Sequence, residues 1–407
     1  MQPVMDYQMR IEKLSIPKGH RIIVTSDIHG RLSYLKGLLE KVNFSKEDYL
    51  LIAGDILEKG GESLATLRYL MELAKTHHVH LVCGNVDARA VECLENVQSF
   101  QRRYRGMMRN WGNCFYEEML REQGLALAVD GERSPQAQEM NWVEETLATE
   151  KKLREVEPQE AWECICEAYA EELRYISGLP FVIDAGTFLV THAGIRSDKE
   201  EDYASLSPED VKEMIDWDDF QKEELYFSRY VFVGHWPVTI YEREQMDSSP
   251  FIDREKKIVS LDGGCAVKRD GQLNAVVMPE IGSEDFEIVW YDDFPLTTVL
   301  EDSAGSTEAF YVRWNNRHVE KLEDTKEESL VRFLGTGEER WIPKPYLWDE
   351  GEGLSCSDYT DYELPLKAGE QVSLLGKYRN GFLVRRDGVL GWYKGAIGNI
   401  SITNKRN

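Results

Sequence analysis

The feature that most constrains this chain is a recurring unit, a short β-branched run that stops at a polar turn marked by glycine. Such runs occupy residues 21–25, 49–53, 80–83, 188–191, 229–233 and 257–261. Short apolar runs bounded by turn signals read as buried strands. Helical patterns at 32–42 and 63–75 lie between the early runs, and the alternation of strand and helix belongs to a layered α/β fold. In such folds ligands bind at the loops that follow the strands. The residues just past each run are therefore the place to look for chemistry.

Past the first run stands Ser26-Asp27-Ile28-His29-Gly30, past the second Gly54-Asp55-Ile56-Leu57-Glu58-Lys59-Gly60, and past the third Gly84-Asn85-Val86-Asp87. Two later runs end in Thr191-His192-Ala193-Gly194 and Gly234-His235-Trp236-Pro237. Taken singly, Asp27, Asp55 and Asn85 read as turn or helix-cap residues. Taken together with His29, His192 and His235, three of the chain's 8 histidines, they read as a ligand set. Mixed Asp, His and Asn donors suit two divalent ions, manganese first and iron or zinc as alternatives, and one carboxylate can bridge the pair. The flanking glycines let backbone and substrate come close.

The order DxHG, GDxxxxG, GNxD, HAG and GH resembles the calcineurin-like metallophosphoesterases, in particular the phosphoprotein phosphatase family and its bacterial dinucleoside tetraphosphatase relatives. The resemblance covers roughly residues 20–280 and extends to Leu179-Pro180, Ile215-Asp216-Trp217-Asp218 and Leu261-Asp262-Gly263-Gly264-Cys265. It implies a four-layer α/β sandwich in which Asp27 and His29 bind a first metal, Asp55 bridges, and Asn85, His192 and His235 bind the second. It also implies hydrolysis of a phosphate monoester or phosphoanhydride by a metal-bridging hydroxide. The broader pattern has a second histidine two residues after His235; Pro237 stands there, which favours the phosphatase-like branch.

Two departures matter. The family's GNH(D/E) carries a histidine that donates a proton to the leaving oxygen, and here Val86 leaves Asp87 without that partner. The family's GDxVDRG offers an arginine to the phosphate, where this chain has Glu58-Lys59. Lysine is the poorer two-pronged partner. Asp87 and Lys59 are the candidate catalytic residues, and Arg31, Lys59, Arg89 and Arg196 the candidate phosphate contacts, with Arg229 also near the motifs. Losing a general acid costs about 10²–10⁴-fold in rate where the leaving group needs a proton. Anhydrides and aryl phosphates are therefore expected to react better than phosphoserine. The alternative is a regulatory protein that keeps the metals and senses a nucleotide or phosphoprotein without turnover.

Within a catalytic domain expected at 18–282, residues 92–178 break the rhythm as a helical insertion. Its Arg102, Arg103, Arg105 and Arg109 read as a solvated helix face, with a phosphate-holding role as the alternative. His77, His78 and His80 straddle a helix end and a strand start and read as solvated or dipole-facing. The region 283–407 reads as β-rich and SH3-like, divided into one or two small barrels around 311–348 and 364–397. Asn380-Gly381 and Asp387-Gly388 mark hairpins there, and Trp314, Trp341, Trp348 and Trp392 pack its cores. This tail is expected to bind a peptide or pack on the catalytic domain; if it serves to target the enzyme to a peptide or wall component, a cut after about residue 285 should spare turnover of small substrates.

Lys plus Arg number 48 against 73 Asp plus Glu, a net charge of -25, which disfavours bulk nucleic acid and anionic membranes. A phosphorylated small molecule, nucleotide or phosphoprotein remains as partner, drawn in by local cations. The 7 cysteines show no paired CxxC spacing, and no signal-peptide core or spanning apolar run stands out. A cytoplasmic location with reduced thiols is expected.

Overall fold

The computed structural model describes residues 4–128, 153–241, 244–349 and 353–401, apart from the side chain of Trp314. The part of the insertion at 129–152, with Pro135, lies outside the described residues. Contacts divide the chain into two compact units, Met1–Val238 with Pro250–Tyr291, and Thr239–Ser249 with Asp292–Asn407.

The first unit holds strands β1 (Ile11–Lys13), β2 (Ile22–Thr25), β3 (Tyr49–Ile52), β4 (His78–Leu81), β5 (Leu125–Leu127), β6 (Arg154–Val156) and β7 (Val182–Asp184). It continues with β8 (Phe188–Thr191), β9 (Tyr230–Val233), β10 (Phe251–Asp253), β11 (Ile258–Ser260), β12 (Leu273–Met278) and β13 (Glu287–Tyr291). One sheet runs β13-β12-β2-β3-β4 and the other β1-β7-β8-β9-β11-β10. Strands β2, β3 and β4 are mutually parallel, as are β8, β9 and β11. Their carboxyl ends carry the polar motifs.

Side chains alternate across a strand, and the two cores follow that period. Ile22 and Val24 of β2 join Leu51, Val190, Phe232 and Val259 in one buried cluster. Ile23, Leu50, Ile52, Leu189, Val231 and Ile258 point the other way, into a larger cluster shared with the helices. The first cluster lies between the sheets and the second covers their outer faces, which makes this an α/β sandwich.

The helices among the described residues are α1 (Leu32–Lys41), α2 (Ser63–Leu73), α3 (Asn85–Glu92), α4 (Val97–Trp111), α5 (Phe115–Glu122), α6 (Pro158–Ala168), α7 (Ala170–Ser177), α8 (Glu200–Tyr203) and α9 (Pro208–Met214). The described insertion is helical as expected, but its ends also meet as the parallel pair β5 and β6. Gly112 closes α4 in the left-handed conformation at φ 73°, a helix stop that glycine takes without Cβ strain. Among the described residues no helix is long and apolar enough to cross a membrane.

The second unit is β-rich. It has a five-stranded and a four-stranded antiparallel sheet with smaller ladders. Among its described residues no sheet closes on itself into a barrel. Asp387 and Gly388, at φ 49° and 83°, make the tight turn between Arg386 and its partner Val389. At the other dipeptide the turn sits one residue earlier, since Gly381 is already paired with Tyr378. Trp392 is buried, and its indole N–H donates to the Thr360 carbonyl at 2.7 Å.

Thr239–Ser249 belongs to this second unit although the chain around it belongs to the first. Met246 sits in the second unit's core, the Leu390 N–H donates to its carbonyl at 2.8 Å, and the Ser248 N–H donates to the Gly388 carbonyl at 2.9 Å. A cut near residue 285 would remove those partners and leave Met246 without cover, and it would also take β13 from the first unit's sheet. We therefore expect, against the simple reading of the tail as dispensable, that a protein ending at 285 is less soluble and melts lower than the full chain. Thermal melts and sedimentation of the two proteins check this; equal stability would overturn it.

Candidate metal centre

The loops that follow β2 and β3 are laced together by their backbones. The Asp27, His29 and Gly30 N–H groups donate to the carbonyls of Gly54, Asp55 and Ile56 at 3.0, 3.0 and 2.8 Å. Asp27, His29, Asp55 and His235 all take positive φ, at 52°, 48°, 52° and 68°. Left-handed backbone at non-glycine residues costs about 1–3 kcal/mol each and persists where the surroundings over-determine it. Here it turns four side chains toward one point.

Glycines make room for them. A Cβ at Gly84 would lie 2.2 Å from Asp55 Oδ1, one at Gly234 2.0 Å from Asp27 Oδ2, and one at Gly54 2.7 Å from His192 Nδ1. The three motif glycines thus form a cradle around the putting-together of Asp27, Asp55 and His192. The backbone completes it, with the Val86 N–H donating to Asp55 Oδ1 at 2.9 Å and the His235 N–H to Asp27 Oδ2 at 3.0 Å.

The structure brings all six expected ligands together. Two groups have donor atoms within 4.8 Å of one another, Asp27 with His29 and Asp55, and Asp55 with His192 and His235. Asp55 is common to both. Asn85 joins the second group, its Oδ1 3.2 Å from His192 Nε2. The Nδ1 of His192 lies 2.7 Å from the Ala53 carbonyl, and that of His29 3.1 Å from the Leu57 carbonyl. A carbonyl only accepts, so each Nδ1 carries a proton and each Nε2 is the ring atom turned to the cluster. His235 Nε2 is buried with no hydrogen-bond partner.

The electrostatics point the same way. Burial, then the Lys59 charge, pushes His29 down to about 3, and burial followed by His192 does the same for His235. Burial and the neighbouring Asp262 and Asp55 push Asp27 well above the usual carboxylate range. Neutral imidazoles and crowded, dry carboxylates form a donor set that is short of positive charge. These residues fit a pair of divalent cations.

The other candidates divide. Lys59 reaches the cluster, its Nζ 3.2 Å from His29 Nε2. Arg31 is buried and packs its guanidinium over the Tyr34 ring at 4.3 Å. Arg89 is tied to Asp216, and Arg196 lies exposed beside Glu213 at 3.3 Å and over Trp217. Arg229 braces Asp184 and the Asp198 carbonyl. Proximity in sequence placed Arg89 and Arg196 in the phosphate set; in the structure each stands in an exposed ion pair with a local carboxylate.

Asp87 is buried, and burial and then the neighbouring Asp55 push its carboxyl up to about 7. Its carboxylate accepts the N–H groups of Ile56, Leu57 and Gly84 at 3.1, 3.2 and 3.1 Å, so it pins the loop after β3 to the start of α3. Of the arginines on α4, Arg102, Arg105 and Arg109 are exposed as expected. Arg103 instead turns inward to Glu58 at 3.2 Å. His78 and His80 stack on Tyr49, away from the cluster.

Sequence reasoning assigned no role to Asp216 and Asp262. Asp216 accepts from the Asn85 amide and fixes which way that ligand points. Asp262 is buried at the end of β11, pushed up to about 6 by burial although the Gly264 N–H donates to it. Both stand in motifs that carried the family resemblance, and that was the available signal.

The glycine cradle gives a direct test. Gly84→Ala and Gly234→Ala should each lose most of the manganese bound by the purified protein, measured by equilibrium dialysis and elemental analysis. Gly106→Ala, on α4 where a Cβ meets nothing within 4 Å, should keep its metal and gain about 0.5–1 kcal/mol of stability. Full metal content in both cradle variants would break the link between these glycines and the ligand set.

Comparison with known proteins agrees with this geometry. The profile of the family described as calcineurin-like phosphoesterase matches residues 20–255, more than half of the chain. Among curated relatives, the symmetrical bis(5'-nucleosyl)-tetraphosphatase of Hamiltonella defensa is 47% identical over 62 residues, 15% of this chain and 22% of the relative. That of Buchnera aphidicola from Schizaphis graminum is 34% identical over 100 residues, 24% of this chain and 32% of the relative. The chain thus spans about a third or less of the length of these relatives. A solved structure described as a putative diadenosine tetraphosphatase aligns over 70% of this chain and 97% of its own, at 19% identity and a TM-score of 0.40. The sequence match across both ligand groups shows that the chain belongs to the calcineurin-like phosphoesterase family.

Proposed function

We propose that the first unit is a metal-dependent phosphoesterase that hydrolyses a phosphoanhydride or aryl phosphate ester. The observation that carries this reading is the shared carboxylate, since Asp55 stands in both ligand groups. Asp27, His29 and Asp55 would hold one ion, and Asp55, Asn85, His192 and His235 the other. When bound, a divalent pair of this kind, manganese first and iron or zinc as alternatives, offsets phosphoryl charge and acidifies water.

The chain's own residues set the substrate. Lys59 places a point charge beside His29, where it can bind a phosphate oxygen but not grip two at once. Val86 has no proton to give, and its backbone N–H is engaged by Asp55. Asp87 is held by backbone donors. The leaving oxygen must then depart without a side-chain acid at this position. Anhydride and aryl oxygens tolerate that, and a serine alkoxide does not. Relatives named as bis(5'-nucleosyl)-tetraphosphatases support a nucleoside polyphosphate as the first natural substrate to try.

With manganese, p-nitrophenyl phosphate and diadenosine tetraphosphate should turn over at least about 10²-fold faster than a phosphoserine peptide, the size of a missing general acid. Asp55→Asn should abolish turnover together with metal uptake. Val86→His should narrow the gap by speeding the alkyl substrate. Fastest cleavage of the phosphopeptide by the natural sequence would refute the proposal, and ligand binding without any metal-dependent turnover would support a sensing protein instead.

A further inference from the structure

The loop that carries Lys59 is held by the insertion. Glu58 and Lys59 are consecutive residues with positive φ, 68° and 69°, a conformation that L side chains rarely adopt. Something outside the loop must hold it. The Glu58 side chain is fully buried and accepts from the Phe115 N–H at 2.9 Å and from Arg103 at 3.2 Å. The Asn113 amide donates to the Lys59 carbonyl at 2.7 Å. One turn further on, the Glu118 carboxylate accepts the Ser63 and Leu64 N–H groups at 2.9 and 2.8 Å. All four partners come from α4, the turn after it, or α5.

The same corner meets the Lys59 side chain. The indole of Trp111, the last residue of α4, lies under the ammonium, with Nζ 5.3 Å from the ring centroid. That is within the reach at which an aromatic face attracts a cation, about 6 Å. On its other side Nζ is 3.2 Å from His29 Nε2. The ammonium thus stands between an inserted aromatic ring and a proposed metal ligand. A lysine has a long flexible stem, and these contacts confine it.

We propose that the corner of the insertion between Trp111 and Phe115 is the positioning element for Lys59, holding its ammonium where the substrate's phosphoryl oxygen arrives. This rests on the reading of Lys59 as a phosphate contact. Backbone clamps on Glu58 and Lys59 set where the stem starts, and the Trp111 face sets where the charge ends. In this chain an inserted helix pair thereby supplies the fixity that a planar guanidinium has by itself.

The test is a double-mutant cycle on the full-length, manganese-loaded protein, read as inorganic phosphate affinity by calorimetry and as KM and kcat for p-nitrophenyl phosphate. Trp111→Ala should weaken phosphate binding and raise KM by about tenfold, the scale of a desolvated cation–π contact, with kcat, metal content and melting temperature little changed. Trp111→Phe should recover most of the loss, because a phenyl face still attracts the charge. In a Lys59→Met background, Trp111→Ala should add nothing. Asn113→Ala, which removes the donor to the Lys59 carbonyl and its longer contact to the Trp111 carbonyl, should shift phosphate affinity in the same direction and speed amide hydrogen exchange across residues 58–63. A Trp111→Ala effect that persists undiminished without Lys59, or no effect of either insertion variant, overturns the proposal. If Lys59→Met itself leaves phosphate affinity intact, the phosphate role of Lys59 fails first, a different result from silent insertion variants beside a damaging Lys59→Met.

Discussion

The first unit depends on keeping the Asp55 carboxylate dry and reachable from two sides. Burying a carboxylate without compensation is costly, yet Asp55 lies among Asp27, Asp87 and Asp262, all buried. The fold meets that cost in parts. The Val86 N–H caps one oxygen of Asp55 at 2.9 Å. The Asp87 charge is shared among three backbone donors. What remains is a local excess of negative charge that a cation would offset. Each sheet brings part of the ligand set to this point, Asp27, His29, Asp55 and Asn85 from the ends of β2, β3 and β4, and His192 and His235 from the ends of β8 and β9. The Gly234 N–H donates to the His192 carbonyl at 2.8 Å and the His235 N–H reaches across to Asp27, so the sheets are joined at the ligands as well as through the core.

The ligand set was legible in the sequence because every member follows a β-branched run, and strand ends in a parallel sheet converge whatever the intervening length. The parallel order of β2, β3 and β4 followed from the helices between them for the same reason. Periodicity carried no information about partners remote in sequence. Arg89 and Arg196 looked available because Asp216 and Glu213 lie far along the chain from Arg89 or on a separate helix. Arg103 looked like one more solvated charge because its partner Glu58 was known only as a family departure. The β5–β6 pair was invisible as a pair, since three residues per strand fall below any usable pattern. The tail showed its turns correctly in kind, but whether sheets close depends on long-range pairing that a turn dipeptide does not specify.

Membership of Thr239–Ser249 in the second unit was hidden by the same limitation. Nothing in its composition separates it from the loops of a catalytic unit, and only its pairing with residues near Gly388 and Leu390 reveals where it packs. The chain leaves the first unit directly after the Gly234-His235-Trp236-Pro237 turn and returns at Pro250. A segment of the second unit is therefore woven into the sequence between β9, which His235 follows, and β10.

Charge gives the remaining step. A net charge of -25 repels a polyphosphate at long range, and screening confines that repulsion to about 8–10 Å at physiological salt. Capture must then be local. Arg89 and Arg196 stand in exposed pairs with Asp216 and Glu213, and on the proposed reading the pull on phosphate falls first to Lys59 and to whatever charge the ligand set holds. One lysine is a weak anion site when it is free to move, because its stem entropy opposes every contact. Fixing that lysine against Trp111, beside His29 and behind a loop clamped by Arg103, Asn113 and Phe115, lowers the entropy lost on binding. On the proposed reading of Lys59, substrate affinity would be more sensitive to packing at the insertion corner than to the number of basic residues around the site.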